Sequence, residues 1–257
     1  MKPLLQKSGL QVLESLSFTD TLYAFDFDGT LAPIVNSPTS ARAPEKIESL
    51  LSKLAQQVPV VVISGRSILD LKTRIRASSI RLIGNHGLEG LTTRKGALDR
   101  ARKVCVQWKA QLQKGWKPLR ADPGVFIEDK EFSLALHYRK SRNKKEARAA
   151  LFSLISTLEH PPRVILGKCV MNLVPAGGPH KGVALLEAMV KLGTKCAFYI
   201  GDDDTDEDVF TLPDTRIIAA RVGRKKNSQA QYFLQRQSEM TALLKKLVQL
   251  TADSRSK

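Results

Sequence analysis

Short apolar runs alternate with amphipathic stretches over residues 22–84 and again after residue 180. The first stretch predicts a strand at 22–26, a helix at 44–57 and a buried strand at 58–63. A helix at 67–76 and a strand at 80–84 follow, and Pro44 suits a first helical turn. The later stretch predicts a helix at 181–191, a strand at 196–200, a short helix at 205–211, a strand at 216–220 and a closing helix at 238–250. Continuously apolar strands separated by helices imply a parallel sheet covered on both faces, an α/β fold.

Residues 94–176 have a different rhythm. A basic helix at 98–113 leads to strand patterns at 125–128 and 132–138, parted by Asp129-Lys130-Glu131. A helix at 143–158 and strands at 162–166 and 169–174 complete the stretch. We therefore expect an α+β module at 94–176, inserted into a sheet domain made of 1–93 and 177–257. Gly84, Gly87, Gly90 and Gly96 on one side and Gly177-Gly178-Pro179 on the other read as hinges. Residues 254–257 read as frayed. Cys105, Trp108, Trp116 and Met171 read as packing residues.

Composition narrows the class. No apolar run approaches the ~20 residues that span a bilayer, and the N-terminus lacks a secretory apolar region. Three scattered cysteines imply reduced thiols and a cytoplasmic protein. Net charge is +16, and residues 94–176 carry 18 Lys/Arg against 7 Asp/Glu, hence +11 of it. A solvated basic face and attraction of an anionic substrate both account for this. Nucleic acid is disfavoured, because few aromatics interleave the basic residues and no nucleic-acid-binding signature is present.

Four places carry chemistry. At the first, a strand ends in Asp26-Phe-Asp28-Gly-Thr30. Strand residues i and i+2 point the same way, so both carboxylates are expected at one spot. Two such charges 4 Å apart repel by about 4 kcal/mol at an effective dielectric near 20, which a cation would offset. One carboxylate can attack phosphorus and the other move protons. At the second, Ser64-Gly65-Arg66 ends a strand at an expected helix start, offering a hydroxyl and N–H groups to an anion. At the third, Lys181 opens a helix, where a cation is disfavoured unless an anion joins it. At the fourth, Asp202 to Asp208 hold six acids in seven positions after an apolar strand. That density in a basic protein points to a hard divalent cation, with Asp202 as ligand and Asp206 in support; the part of Asp203 is open.

In this order the four places resemble the haloacid-dehalogenase superfamily, which implies a Rossmann-like core with an inserted cap. The 26–64 spacing leaves room for little more than one helix, whereas 64–181 holds about 80 extra residues, so the cap is expected after the third strand. More finely, the chain resembles trehalose-6-phosphate phosphatases. The likeness rests on Phe25 to Pro33, Ile83 to Glu89, Ile127 to Lys130, Leu136 to Arg139, Gly167-Lys168 and Gly201 to Asp208. It implies Asp26 as nucleophile, Asp28 as general acid and base, Ser64 and Lys181 on the phosphoryl group, and Thr30 supporting the loop. Mg²⁺ would be held by Asp26, the Asp28 carbonyl and Asp202, with Asp206 beside it. Arg66, Glu128, Lys130, Arg139, Lys168 and Asn172 would bind the sugar phosphate. Where the family usually has an acidic and a basic residue, this chain has Asn172 and Val174. Sucrose-phosphate and glycosyl-glycerate-phosphate substrates therefore stay open, as does a basic binding protein on the same fold. A monomeric, stand-alone phosphatase is the expectation.

Overall fold

The computed structural model describes residues 1–35, 38–91, 96–115 and 122–255. In chain order it begins β1 (Lys2–Pro3), α1 (Lys7–Ser17), β2 (Thr21–Phe25), α2 (Glu45–Gln57), β3 (Val60–Ile63), α3 (Ile68–Lys72), β4 (Arg81–Gly84) and β5 (Glu89–Gly90). Then come α4 (Ala97–Gly115), β6 (Phe126–Asp129), β7 (Leu134–His137), α5 (Lys144–Ile155), β8 (Pro162–Gly167) and β9 (Val170–Pro175). The chain ends with α6 (Lys181–Leu192), β10 (Cys196–Gly201), α7 (Glu207–Phe210), β11 (Ile217–Val222), β12 (Tyr232–Leu234) and α8 (Met240–Arg255). Two compact units result, Met1–Thr92 with Pro179–Lys257, and Thr93–Gly178.

The first unit is built on an eight-stranded sheet in the order β1-β12-β11-β10-β2-β3-β4-β5, parallel except for the β4–β5 pair. Every residue of β2 is buried, as a central strand with helices on both faces requires. Tyr23 and Phe25 face one apolar layer with Leu13 of α1, Leu54 of α2 and Leu247 of α8. Leu22 and Ala24 face the other with Leu185 of α6 and Phe210 of α7. Truncating a buried leucine of these layers to alanine costs roughly 2–5 kcal/mol.

Register levels the strand ends. Phe25 pairs with Val62 on one side and Ile200 on the other, and Ile63 pairs with Ile83. Asp26, Ser64 and Asp202 thus leave neighbouring strands at one edge, at the point where connections diverge to either side.

Three features depart from the sequence pattern. The helix expected at 67–76 is only Ile68–Lys72, because Arg74 turns back to bond Asp70 and the carbonyls of Thr39 and Ala41. The helix expected at 205–211 is a 3₁₀ turn at Asp204–Asp206 followed by α7. Helix α1 and the short strands β1, β5 and β12 were not expected, and β5 makes one edge antiparallel.

The second unit is a four-stranded antiparallel sheet, β6-β7-β9-β8. Cys105, Trp108 and Leu112 of α4 and Leu151 of α5 pack on Leu134, Leu136, Met171 and Leu173. Trp108 donates its indole N–H to the His160 carbonyl at 2.6 Å, and burial pushes the Cys105 thiol up to about 12. Trp116 lies outside the described residues. Alternation leaves Phe126, Glu128, His137 and Asn172 on the face away from the helices.

Candidate active site

Asp26 is the first residue beyond β2, and its N–H bonds the Ile200 carbonyl at 2.9 Å. The chain then turns tightly, with Ala32 N–H on the Phe27 carbonyl and Gly29 N–H on the Ala32 carbonyl. Gly29 has φ +81°, and a Cβ there would lie 2.1 Å from Oδ2 of Asp202. Only glycine fits both the dihedral and the contact. Thr30 Oγ1 donates to Asp202 Oδ1 at 3.4 Å.

Lys181, at the first turn of α6, is 2 % exposed. Its ammonium donates to Asp26 Oδ1 at 2.8 Å and to Asp206 Oδ1 at 2.7 Å. The anion expected beside this helix start is thus supplied by the protein. Asp206 Oδ1 also accepts from the Tyr199 hydroxyl at 2.5 Å, while its Oδ2 accepts from Asp203 N–H at 2.8 Å.

The acidic run is sorted by partner. Asp203 and Asp206 form a reciprocal cap on the 3₁₀ turn. Asp204 pairs with Lys225, and Glu207 pairs with Arg221 at 3.2 Å. Arg221 also donates to the carbonyls of Asp202 and Asp203, clamping the loop. Asp208 stands 3.9 Å from His180 Nδ1, and Asp202, which accepts from Thr30, lies beside Asp26.

Asp26, Asp202 and Asp206 each place a carboxylate oxygen within 4.8 Å of the others. Three carboxylates and one ammonium leave a formal charge of −2 in a buried site. Burial raises Asp26 well above the usual carboxylate range despite Lys181, and the charges of Asp206 and Asp202 add to this. Asp202 is pushed up to about 7, by burial first and then by Asp206 and Asp203. Burial opposes the charge on Lys181, but Asp206 and Asp26 outweigh it and hold the ammonium firmly protonated. The residues fit a divalent cation with oxygen ligands, since a charge of +2 balances the excess.

Asp28 is placed differently from the expectation. Strand β2 stops at Phe25, so the two-residue periodicity no longer applies when the chain reaches position 28. Its carboxylate lies outside the acidic cluster and is held by Arg66, Nε to Oδ2 and Nη2 to Oδ1, both at 2.6 Å. Arg66 also bonds Asp70 at 2.7 Å and lies over the Phe27 ring at 5.5 Å.

Ser64 is 1 % exposed and accepts from the Arg66 N–H at 3.2 Å. It does not open α3; Ser67 caps that helix, accepting from Asp70 N–H. The loop is braced by residues to which the pattern assigned no role. Asn85 and His86, both with positive φ, bond the carbonyls of Arg66 and Ser64 through their N–H groups. Glu89 Oε2 receives Asn85 Nδ2 at 2.6 Å and Ile68 N–H at 3.1 Å.

On the second unit, Lys130 Nζ donates to Asn172 Oδ1 at 3.3 Å on the sheet face away from the helices. Glu128 on that face meets His137 Nε2 at 2.7 Å, and His137 stacks on Phe126 with centroids 4.7 Å apart. The sequence pattern gives His137 no role, although it stands between Leu136 and Arg139. Arg139 donates to the Lys168 carbonyl at 3.1 Å, at the β8–β9 turn. These two sit apart from the Glu128–Asn172 group in the pairing register.

A mainly parallel sheet with Asp26, Ser64, Lys181 and Asp202 at its strand and helix ends defines a haloacid-dehalogenase-type α/β core, here accompanied by a separate α+β unit. The family model described as Trehalose-phosphatase matches residues 24–238, and the chain belongs to that family. The trehalose-phosphate phosphatase of Mycobacterium bovis is 35 % identical over 217 residues, covering 78 % of this chain and 54 % of its own length. That of Mycobacterium leprae is 33 % identical over 218 residues, covering 77 % and 50 %. The chain thus spans about half the length of these curated relatives. Among solved structures, the C-terminal domain of C. albicans trehalose-6-phosphate phosphatase aligns with a TM-score of 0.73 at 22 % identity, covering 98 % of both chains. A trehalose-6-phosphate phosphatase related protein gives 0.74 at 24 %, covering 90 % of this chain and 99 % of its own. Both likenesses speak for the fold.

Proposed function

We propose that the chain is a Mg²⁺-dependent, cytoplasmic phosphatase that hydrolyses trehalose 6-phosphate to trehalose and phosphate. The observation that carries this reading is the buried Lys181 ammonium between Asp26 and Asp206, with Asp202 beside them. Family membership and the activity named for the two mycobacterial relatives support the substrate. Among the described residues no helix is long and apolar enough to cross a membrane.

Asp26 attacks phosphorus, the sugar oxygen leaves, and Asp28 gives that oxygen a proton. Asp28 then takes a proton from the water that attacks the aspartyl-phosphate, and Asp26 is regenerated. Lys181 and Ser64 bind the phosphoryl oxygens, and Lys181 offsets the charge that gathers there. Mg²⁺, held by Asp26, Asp202 and the Asp28 carbonyl, would neutralise phosphoryl charge and fix the line of attack. Asp206 acts through Lys181, since both of its oxygens already accept protein donors. Glu128, Lys130 and Asn172 receive sugar hydroxyls, with Arg139, Lys168 and Arg66 as further contacts.

Phosphate release with Mg²⁺ tests this, comparing trehalose 6-phosphate with sucrose 6-phosphate, glucose 6-phosphate and a glycosyl-glycerate phosphate. Selectivity for the first supports the reading, selectivity for another moves the substrate, and no turnover of any refutes it.

A further inference from the structure

Arg66, Asp70 and Arg74 recur at intervals of four residues, from just before α3 to just after it, a spacing that brings helical side chains to one face. With Asp28 they form a chain of alternating charge. Arg66 holds Asp28 by two bonds of 2.6 Å, and its Nη1 donates to Asp70 Oδ2 at 2.7 Å. Arg74 takes Asp70 in a second two-point grip, Nε to Oδ2 at 2.8 Å and Nη2 to Oδ1 at 2.7 Å. Arg74 is buried, and its Nη1 is anchored on the carbonyls of Thr39 and Ala41. Burial disfavours a charge on Asp70, but the hydrogen bonds from Arg74 and Arg66 outweigh it and hold the carboxyl below its ordinary range. Arg66 therefore meets an ionised acceptor at neutral pH.

We propose that Asp70 is a positioning residue for the proton transfers, acting through Arg66 on Asp28. The two bonds between Arg66 and Asp28 fix these groups relative to each other, yet on their own they let the pair swing together on two flexible side chains. Asp28 has 43 % of its side chain exposed, so packing does little to hold it. Asp70 stops the swing by holding the third nitrogen of the guanidinium, while the Phe27 ring supports its face at 5.5 Å. Arg74 in turn ties Asp70 to the 39–41 backbone, so the chain of four ends on a fixed point. Asp28 has to face the leaving sugar oxygen in one step and the attacking water in the next, and a carboxylate steadied from behind serves both. This inference rests on the phosphatase reading, which assigns those transfers to Asp28.

Steady-state kinetics of the full chain test this, with whichever of the four sugar phosphates the wild type hydrolyses fastest. Asp70→Asn keeps the shape of the side chain and removes its charge. Its kcat should fall about tenfold, as befits one charge-assisted hydrogen bond, with KM unchanged. A merely structural Asp70 would add its loss to any other, so a double-mutant cycle with Arg66→Met separates the two roles. The double variant should match Arg66→Met alone in kcat to within about twofold, because Asp70 acts only through Arg66. Arg74→Lys keeps the charge but loosens the grip on Asp70, and it carries the test if Asp70→Asn melts below the assay temperature. Its kcat should fall about threefold at constant KM. Unchanged kcat in both single variants, a change in KM alone, or fully additive losses in the cycle overturns the inference and leaves the phosphatase reading standing. A wild type that hydrolyses none of the four refutes that reading, and this inference with it.

Discussion

Arg66 donates to both carboxylate oxygens of Asp28, each at 2.6 Å, and to Asp70 with its remaining terminal nitrogen. That grip sets where the Asp28 carboxylate stands for the proton transfers assigned to it. Lysine cannot reproduce the planar two-point grip. Arg66→Lys should therefore lower kcat/KM by about 10–100-fold, the equivalent of one or two charge-assisted hydrogen bonds. Steady-state kinetics decide it; unchanged values would remove Arg66 from the cycle.

The Tyr199 hydroxyl shares Asp206 Oδ1 with the Lys181 ammonium. Tyr199→Phe removes one buried hydrogen bond, worth about 1 kcal/mol, and leaves the ring in place. We expect kcat to fall by roughly 3–10-fold with KM unchanged, because Lys181 is held less firmly over Asp26. A change in KM alone would assign Tyr199 to substrate binding instead.

Lys181→Met strips the cluster of its cation. Removing one partner of a buried ion pair costs roughly 3–5 kcal/mol, and here three carboxylates are left together. Turnover should vanish, and the melting temperature at pH 7 should drop by several degrees more than at pH 5, where the acids can take up protons. Equal losses at both pH values would contradict the charge argument.

That argument also fixes the sign of a pH effect. Asp202 titrates near 7 in the folded protein against 3.8 ordinarily, and Asp26 shifts in the same direction. Between those values the folded protein holds protons that the unfolded chain has lost, so stability falls as pH rises from about 4 to about 7. Asp70 and Asp129, lowered by Arg74 with Arg66 and by Lys109 against the effect of burial, act oppositely but below pH 4. A divalent cation replaces the protons. The rise in melting temperature on adding Mg²⁺ should therefore grow from pH 5 to pH 7; a constant rise would place the cation elsewhere.

What the pattern of residues made legible is what lies on single elements. The apolar lead-in to Asp26 marked β2, the acidic run marked the end of β10, and the period of 181–191 marked α6. The α+β rhythm of 94–176 likewise matches α4 to β9. What it left hidden depends on partners distant in sequence. Asp28 finds Arg66 38 positions away, and Arg221 reaches Glu207 across 14. Tyr199 reads as one more apolar strand residue until Asp206 folds back beneath it. Strands as short as Lys2–Pro3 carry no period at all.

The most direct measurement is borohydride trapping during turnover of trehalose 6-phosphate, followed by peptide mass analysis. Reduction of an aspartyl-phosphate leaves homoserine, and the account predicts it at position 26, absent from Asp26→Asn. Homoserine at another aspartate, or undiminished turnover by Asp26→Asn, would contradict it.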